Sequence, residues 1–81
     1  MDLQHIMTLI KDIQDDSMCP RNVRNTLEEA KKYLEDEKQE VEVKLSSVGY
    51  LIQKLTEDPN IPSHIRIKIY NLLSALESVK G

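Results

Sequence analysis

The stretch Asp58-Pro59-Asn60-Ile61-Pro62-Ser63-His64-Ile65-Arg66 restates one that stands 42 residues earlier, Asp16-Ser17-Met18-Cys19-Pro20-Arg21-Asn22-Val23-Arg24. Both follow the frame Asp-x-x-x-Pro-x-x-(Val/Ile)-Arg. Residues 3–39 laid on 45–81 are identical at nine of 37 positions, where ordinary amino-acid usage gives roughly two or three. A repeat of this length is one supersecondary unit used twice. Here the unit is a helical hairpin whose elbow carries the frame, and the fold class is all-α: a four-helix bundle of two hairpins, about 2–38 and 41–79.

The apolar pattern supports this outward from each elbow. Before the first, Leu3, Ile6, Met7, Leu9, Ile10 and Ile13 recur at three- and four-residue steps behind Asp2, a candidate N-cap. Pro20 suits the start of a second helix, where a missing N–H costs nothing, and Val23, Leu27, Ala30 and Leu34 give that helix its buried stripe. Val41, Leu45, Val48, Leu51, Ile52 and Leu55 form the third, with Gly49 marking either close approach of a neighbouring backbone or a tolerated surface position. Pro59 and Pro62 bracket the second elbow. His64–Tyr70 alternates like a strand, but its repeat partner leads into a helical stripe. Ile65, Ile69, Leu72, Leu76 and Val79 keep the helical period.

One boundary is ambiguous. Residues 35–40 contain neither Gly nor Pro, and Leu27, Leu34, Val41, Val48 and Leu55 are spaced so that one helix could run through them. The repeat argues for a turn at 37–41, because an unbroken helix from Pro20 to Leu55 would far exceed usual globular lengths.

Composition bounds the function. An 81-residue chain forms a single domain burying roughly 60–65% of its unfolded surface, so association of chains would help it. The core relies on ten Leu, eight Ile and five Val without Phe or Trp. Residues 1–42 carry 11 acids and 6 bases and residues 43–81 carry 3 acids and 5 bases, for a net −3 overall. That sign disfavours non-specific nucleic-acid binding. A lone Cys19 rules out an internal disulfide framework and fits the cytoplasm. The polar residues near the start are too many for a signal core or a membrane span. No phosphate-loop or dinucleotide motif is present, and no motif joins Cys19 to His5 or His64, so no catalytic residue, cofactor or metal ligand is assigned.

Three surfaces remain as candidates. Asp16 with Arg24 and Asp58 with Arg66 are expected to brace the elbows as ion pairs; the alternative for the acids is a carboxylate metal site of Asp15, Asp16, Glu57 and Asp58, the basis of an enzymatic reading. Arg21, Arg24, His64, Arg66 and Lys68 fall in the first turns of two helices, a candidate patch for phosphate, an acidic peptide or RNA. Finally, Asn25, Glu28 and Lys31 of the second helix become Ile67, Tyr70 and Leu73 in the fourth. A helix with so wide an apolar arc either sits centrally in the bundle or presents a face to a protein partner or a second copy.

The frame resembles HEAT-type repeats, in which an Asp in the turn and an Arg early in the second helix help stack successive pairs, although eight residues is a wider spacing than theirs. The chain as a whole resembles a family of small archaeal proteins known only as an uncharacterised protein family. Pro20-Arg21-Asn22-Val23-Arg24, Tyr50-Leu51, Asp58-Pro59-Asn60-Ile61-Pro62 with His64 and Arg66, and Leu73-Ser74-Ala75-Leu76-Glu77 carry that likeness. It implies a compact helical bundle from an archaeal cytoplasm and brings no activity, substrate or cofactor with it.

Overall fold

Helices form where the apolar residues recur every three or four positions, and they stop at three aspartates. In the computed structural model, which describes residues 3–80 apart from the Lys80 side chain, α1 is Leu3–Gln14, α2 Arg21–Glu35, α3 Val41–Leu55 and α4 Ser63–Lys80. The proposed Asp2 cap lies outside the described residues. The α2–α3 turn occupies Asp36–Glu40, so the helix does not run through. The strand-like alternation at His64–Tyr70 lies inside α4: Ile65 and Ile69 are buried while Ile67 is exposed, and one-sided burial at the 3.6-residue period outweighs local β-branching.

α1 packs against α2 and α4, and α3 packs against α2 and α4, while the diagonal pairs stay apart. Short connections make neighbours antiparallel, so both Asp-Pro-Arg elbows lie at one end of a bundle about 33 Å long and the 36–40 turn lies at the other. The 42-residue shift turns α1 into α3 and α2 into α4, so the α1/α4 contact maps onto the α3/α2 contact. The hairpins are thus related by an approximate two-fold along the bundle axis. A solenoid of stacked HEAT-type layers would instead set α1 beside α3 and α2 beside α4.

The core obeys the same symmetry. Ile6/Val48, Ile10/Ile52, Ile13/Leu55, Cys19/Ile61, Val23/Ile65, Leu27/Ile69, Ala30/Leu72 and Leu34/Leu76 are matched positions, and both members of every pair are buried. Among the described apolar residues only Leu45 is buried without a buried counterpart, Leu3 being partly covered. Cys19 therefore fills a hydrophobic slot that Ile61 fills in the other copy. Because α4 is one corner of four and not a central rod, its extra apolar residues face outward: Ile67 is 61% and Tyr70 50% exposed, whereas Leu73 is partly buried against the core.

Gly49 does not mark a close approach. A methyl group there would meet nothing within 4 Å, so the glycine costs helix stability without a packing return. Gly49→Ala is expected to raise unfolding stability by about 0.5–1 kcal/mol, read as a higher urea midpoint at unchanged slope.

Candidate functional site

The paired polar residues gather at the elbow end. A helix leaves its last carbonyls without intrahelical partners, and just past the ends of α1 and α3 a base eight residues beyond the aspartate reaches back to carbonyls of the elbow. Arg24 Nη2 donates to the backbone oxygen of Asp16 at 3.0 Å. Arg66 Nη2 donates to the backbone oxygen of Asp58, and its Nη1 donates to that of Thr56 at 3.0 Å. The aspartate carboxylates do something else. Met18 N–H donates to Asp16 Oδ1 at 2.8 Å and Asn60 N–H to Asp58 Oδ1 at 2.9 Å, which closes the loop behind each helix. The expected Asp16–Arg24 and Asp58–Arg66 ion pairs are therefore replaced by guanidinium-to-carbonyl bonds. The planar fork of arginine suits carbonyls left at a helix end, where the macrodipole is negative.

The second oxygen of each carboxylate reaches across to the other hairpin. Asn22 Nδ2 donates to Asp58 Oδ2 at 2.9 Å, and His64 Nε2 lies 3.2 Å from Asp16 Oδ2. Asn22 and His64 are matched positions of the repeat, so the two bonds exchange under the pseudo-two-fold. Lys68 adds an asymmetric element: its Nζ is 3.2 Å from both Asp12 Oδ2 and Asp16 Oδ2. The Met18 N–H, followed by Lys68 and His64, holds the Asp16 carboxyl down from 3.8 to about 2, against partial desolvation. Asp12, then Asp16, pushes the Lys68 ammonium above its ordinary value.

The five basic residues of the candidate anion patch do come to one end, but four have partners. Arg24 and Arg66 bind carbonyls, and His64 and Lys68 bind carboxylates. Arg21 is exposed, without a partner among the described residues. The carboxylates of the proposed metal site do not converge, and among the described residues no three His, Cys, Asp or Glu side chains are placed to share an ion. The Cys19 thiol is buried, directed at the Pro20 carbonyl at 3.6 Å. Burial pushes its pKa up, with Arg24 opposing, the reverse of what a nucleophilic thiol needs.

The turn expected at 37–41 is a third elbow of the same build, a likeness the sequence reading does not register. Lys38 N–H donates to Asp36 Oδ1 at 3.0 Å, and the buried Lys44, eight residues after Asp36, donates from Nζ to the Leu34 carbonyl at 3.3 Å. Asp36-x-x-x-Glu40-x-x-Val43-Lys44 is the same frame with Glu in place of Pro and Lys in place of Arg. Those two replacements hid it.

Between α2 and α3 runs a groove of about 270 Å³ lined by Asn22, Thr26, Glu29, Leu51, Lys54 and Asp58. In the matching α1/α4 seam Lys68 stands where Thr26 stands here, spanning to Asp12 and Asp16. The shorter Thr26 leaves the groove open, and Lys54 turns outward over the Tyr50 ring at 5.4 Å. No described helix is long and apolar enough to cross a membrane.

Fold and elbows together define a small all-α protein of two matched hairpins closed around a pseudo-two-fold. The chain belongs to the family described as "Uncharacterised protein family (UPF0147)", which it matches over residues 1–79. A UPF0147 protein of Thermococcus kodakarensis is 35% identical over 79 residues, covering 96% of this chain and 95% of that one. One from Methanothermobacter thermautotrophicus is 32% identical over 75 residues, covering 93% and 74%. The crystal structure of a UPF0147 protein from Thermoplasma acidophilum has a TM-score of 0.90 at 27% identity, with 95% of this chain and 91% of that one covered. A second crystal structure, described as a protein of unknown function, gives 0.88 at 34% identity over 98% and 90%.

The Asp16 cluster makes stability depend on acidity. Between about 2 and 3.8 the unfolded chain binds the Asp16 proton more readily than the folded one, so the Asp16 contribution is complete above 3.8 and is lost as pH falls toward 2. Asp16→Asn keeps an acceptor for Met18 N–H but has no charge to titrate. Chemical denaturation should find the variant less stable than the parent at neutral pH, with the gap closing as pH drops through this window.

Proposed function

We propose that the protein is a non-enzymatic interaction module that pairs with a second copy of itself through the outer face of α4. The observation that carries this reading is the divergence between matched helices: the outer positions of α2 hold Asn25, Glu28, Glu29 and Lys32, whereas those of α4 hold Ile67, Tyr70, Asn71 and Ser74. All of the α4 residues named are exposed, and they lie on one side of the helix. Ser78 extends the strip and Leu73 closes its inner edge. Glu77 is the one charged residue in this arc, so two chains, each of net −3, approach with little like-charge contact at the seam. Small serines let the helix backbones come close around a tyrosine and an isoleucine. An isologous two-fold contact is the geometry that one self-complementary face produces. A small core supports the same reading, since burying this strip adds apolar area that an 81-residue chain lacks. A cytoplasmic setting belongs to the proposal, in keeping with a single free cysteine.

Light scattering over a concentration series is expected to show a monomer–dimer equilibrium that re-equilibrates promptly on dilution. Ile67→Glu with Tyr70→Glu should weaken the dimer by about tenfold or more while leaving the helical circular dichroism unchanged. A monomer at every concentration, or a dimer indifferent to both substitutions, would overturn the reading.

A further inference from the structure

The three elbows are not equally fixed. Those after α1 and α3 contain proline and an arginine bonded to the preceding helix end. Residues 36–40 contain neither proline nor glycine. No described residue has a positive φ, so nothing in this turn demands a backbone that ordinary residues avoid. What holds it is the Asp36 N–H bond to the Tyr33 carbonyl at 3.3 Å, the Asp36 carboxylate bond to Lys38 N–H, the single Lys44 bond to the Leu34 carbonyl and a long 3.4 Å contact from Gln39 N–H to the Asp36 oxygen. Residues 37–40 are all exposed and, as Glu, Lys, Gln and Glu, are good helix formers.

The spacing across the turn adds a geometric condition. Leu34 and Val41 are seven residues apart, so if residues 36–40 became helical, the stripe Leu27, Leu34 would continue on the same side as Val41, Val48, Leu55. Lys38 N–H would then move from Asp36 Oδ1 to the Leu34 carbonyl, displacing Lys44, and no backbone group would be stranded. The pseudo-two-fold bundle is built from two complementary hairpins, so a hairpin released from its own partner fits the matching hairpin of another chain with every α1/α4 and α2/α3 contact intact.

From these observations we infer that the α2–α3 turn is a hinge at which Arg21–Leu55 straightens into one helix, and that two straightened chains exchange hairpins to form a dimer of two complete bundles. Its partner is a second copy of this chain, and it does not use the outer face of α4. The hinge carries Glu35, Asp36, Glu37 and Glu40 against Lys38, and exchange brings two such segments together. Repulsion therefore favours the closed monomer at neutral pH and low salt. Salt screens it and so favours exchange.

The closed turn also suggests how to lock it. Glu40 has φ −68° and ψ 150°, close to the −62° and 152° of Pro20, so Glu40→Pro fits the closed turn. In the straight helix it would remove a hydrogen bond and clash one turn back, disfavouring that state by roughly a hundredfold per chain. Asp36→Ala with Glu40→Ala removes the loop-closing acceptor and two repelling charges. After unfolding and refolding at millimolar concentration in high salt, light scattering of the parent should find a species of twice the monomer mass that persists on dilution, because separation requires opening both bundles. The Ala pair should increase its share several-fold, Glu40→Pro should abolish it, and Ile67→Glu with Tyr70→Glu should leave it in place. Isotope-filtered NMR of mixed labelled and unlabelled chains should find contacts between α2 of one chain and α3 of the other. A slow dimer formed as readily by a natively helical Glu40→Pro chain, none formed by the Ala pair, or interchain contacts confined to α4 would overturn the inference.

Discussion

The carbonyls at and just past the end of a helix set the terms for this molecule. With 12 to 18 residues per helix and no large aromatic core, the bundle depends on how each helix stops and how the next begins. A positively charged side chain eight residues beyond an aspartate reaches back to satisfy carbonyls near the helix end, while the aspartate closes the loop from inside with its carboxylate. That single device fixes the direction in which the second helix leaves. With the direction fixed twice in the same way, two hairpins arrive as near copies and can close on each other.

Closure then imposes its own pairing. Each matched core position is filled in both copies, and where one copy is small the other is large, as at Ala30 and Leu72. The polar end is built on the same rule, since Asn22 and His64 each bind the aspartate of the opposite hairpin. Symmetry is relaxed only where the chain faces outward or meets one particular neighbour. Lys68 fills a seam that its counterpart Thr26 leaves open, and α4 carries Ile67 and Tyr70 where α2 carries Asn25 and Glu28. Departures from a repeat, once the shared core is accounted for, are where a surface of its own is found.

The helices, the doubled hairpin and nearly all of the core could be read from the sequence, because burial on one side of a helix writes its period directly into residue type. Cys19 could be placed by its match with Ile61. The bonding at the elbows could not. Asp16 and Arg24 were expected to pair by charge, yet the charge is better spent on a carbonyl held in place by the backbone, a preference that composition does not register. The stacking order was equally hidden: a repeat frame is compatible with a translational layer or a closed two-fold, and only the neighbours of α1 decide between them. Of the two readings of Gly49 only the tolerated surface position fits, and one sequence cannot choose between them because a glycine that serves packing and one that serves nothing look alike. Lys44 escaped notice because its frame had lost both of the residues that advertised the other two.

The closed two-fold meeting of the elbows can be tested most directly by nuclear Overhauser contacts in the monomer, with the side-chain amide of Asn22 and the ring protons of His64 assigned. The account predicts contacts from Asn22 to the β protons of Asp58 and from His64 to those of Asp16. Contacts from Asn22 to Asp16 and from His64 to Asp58, with both cross-hairpin sets missing, would contradict it.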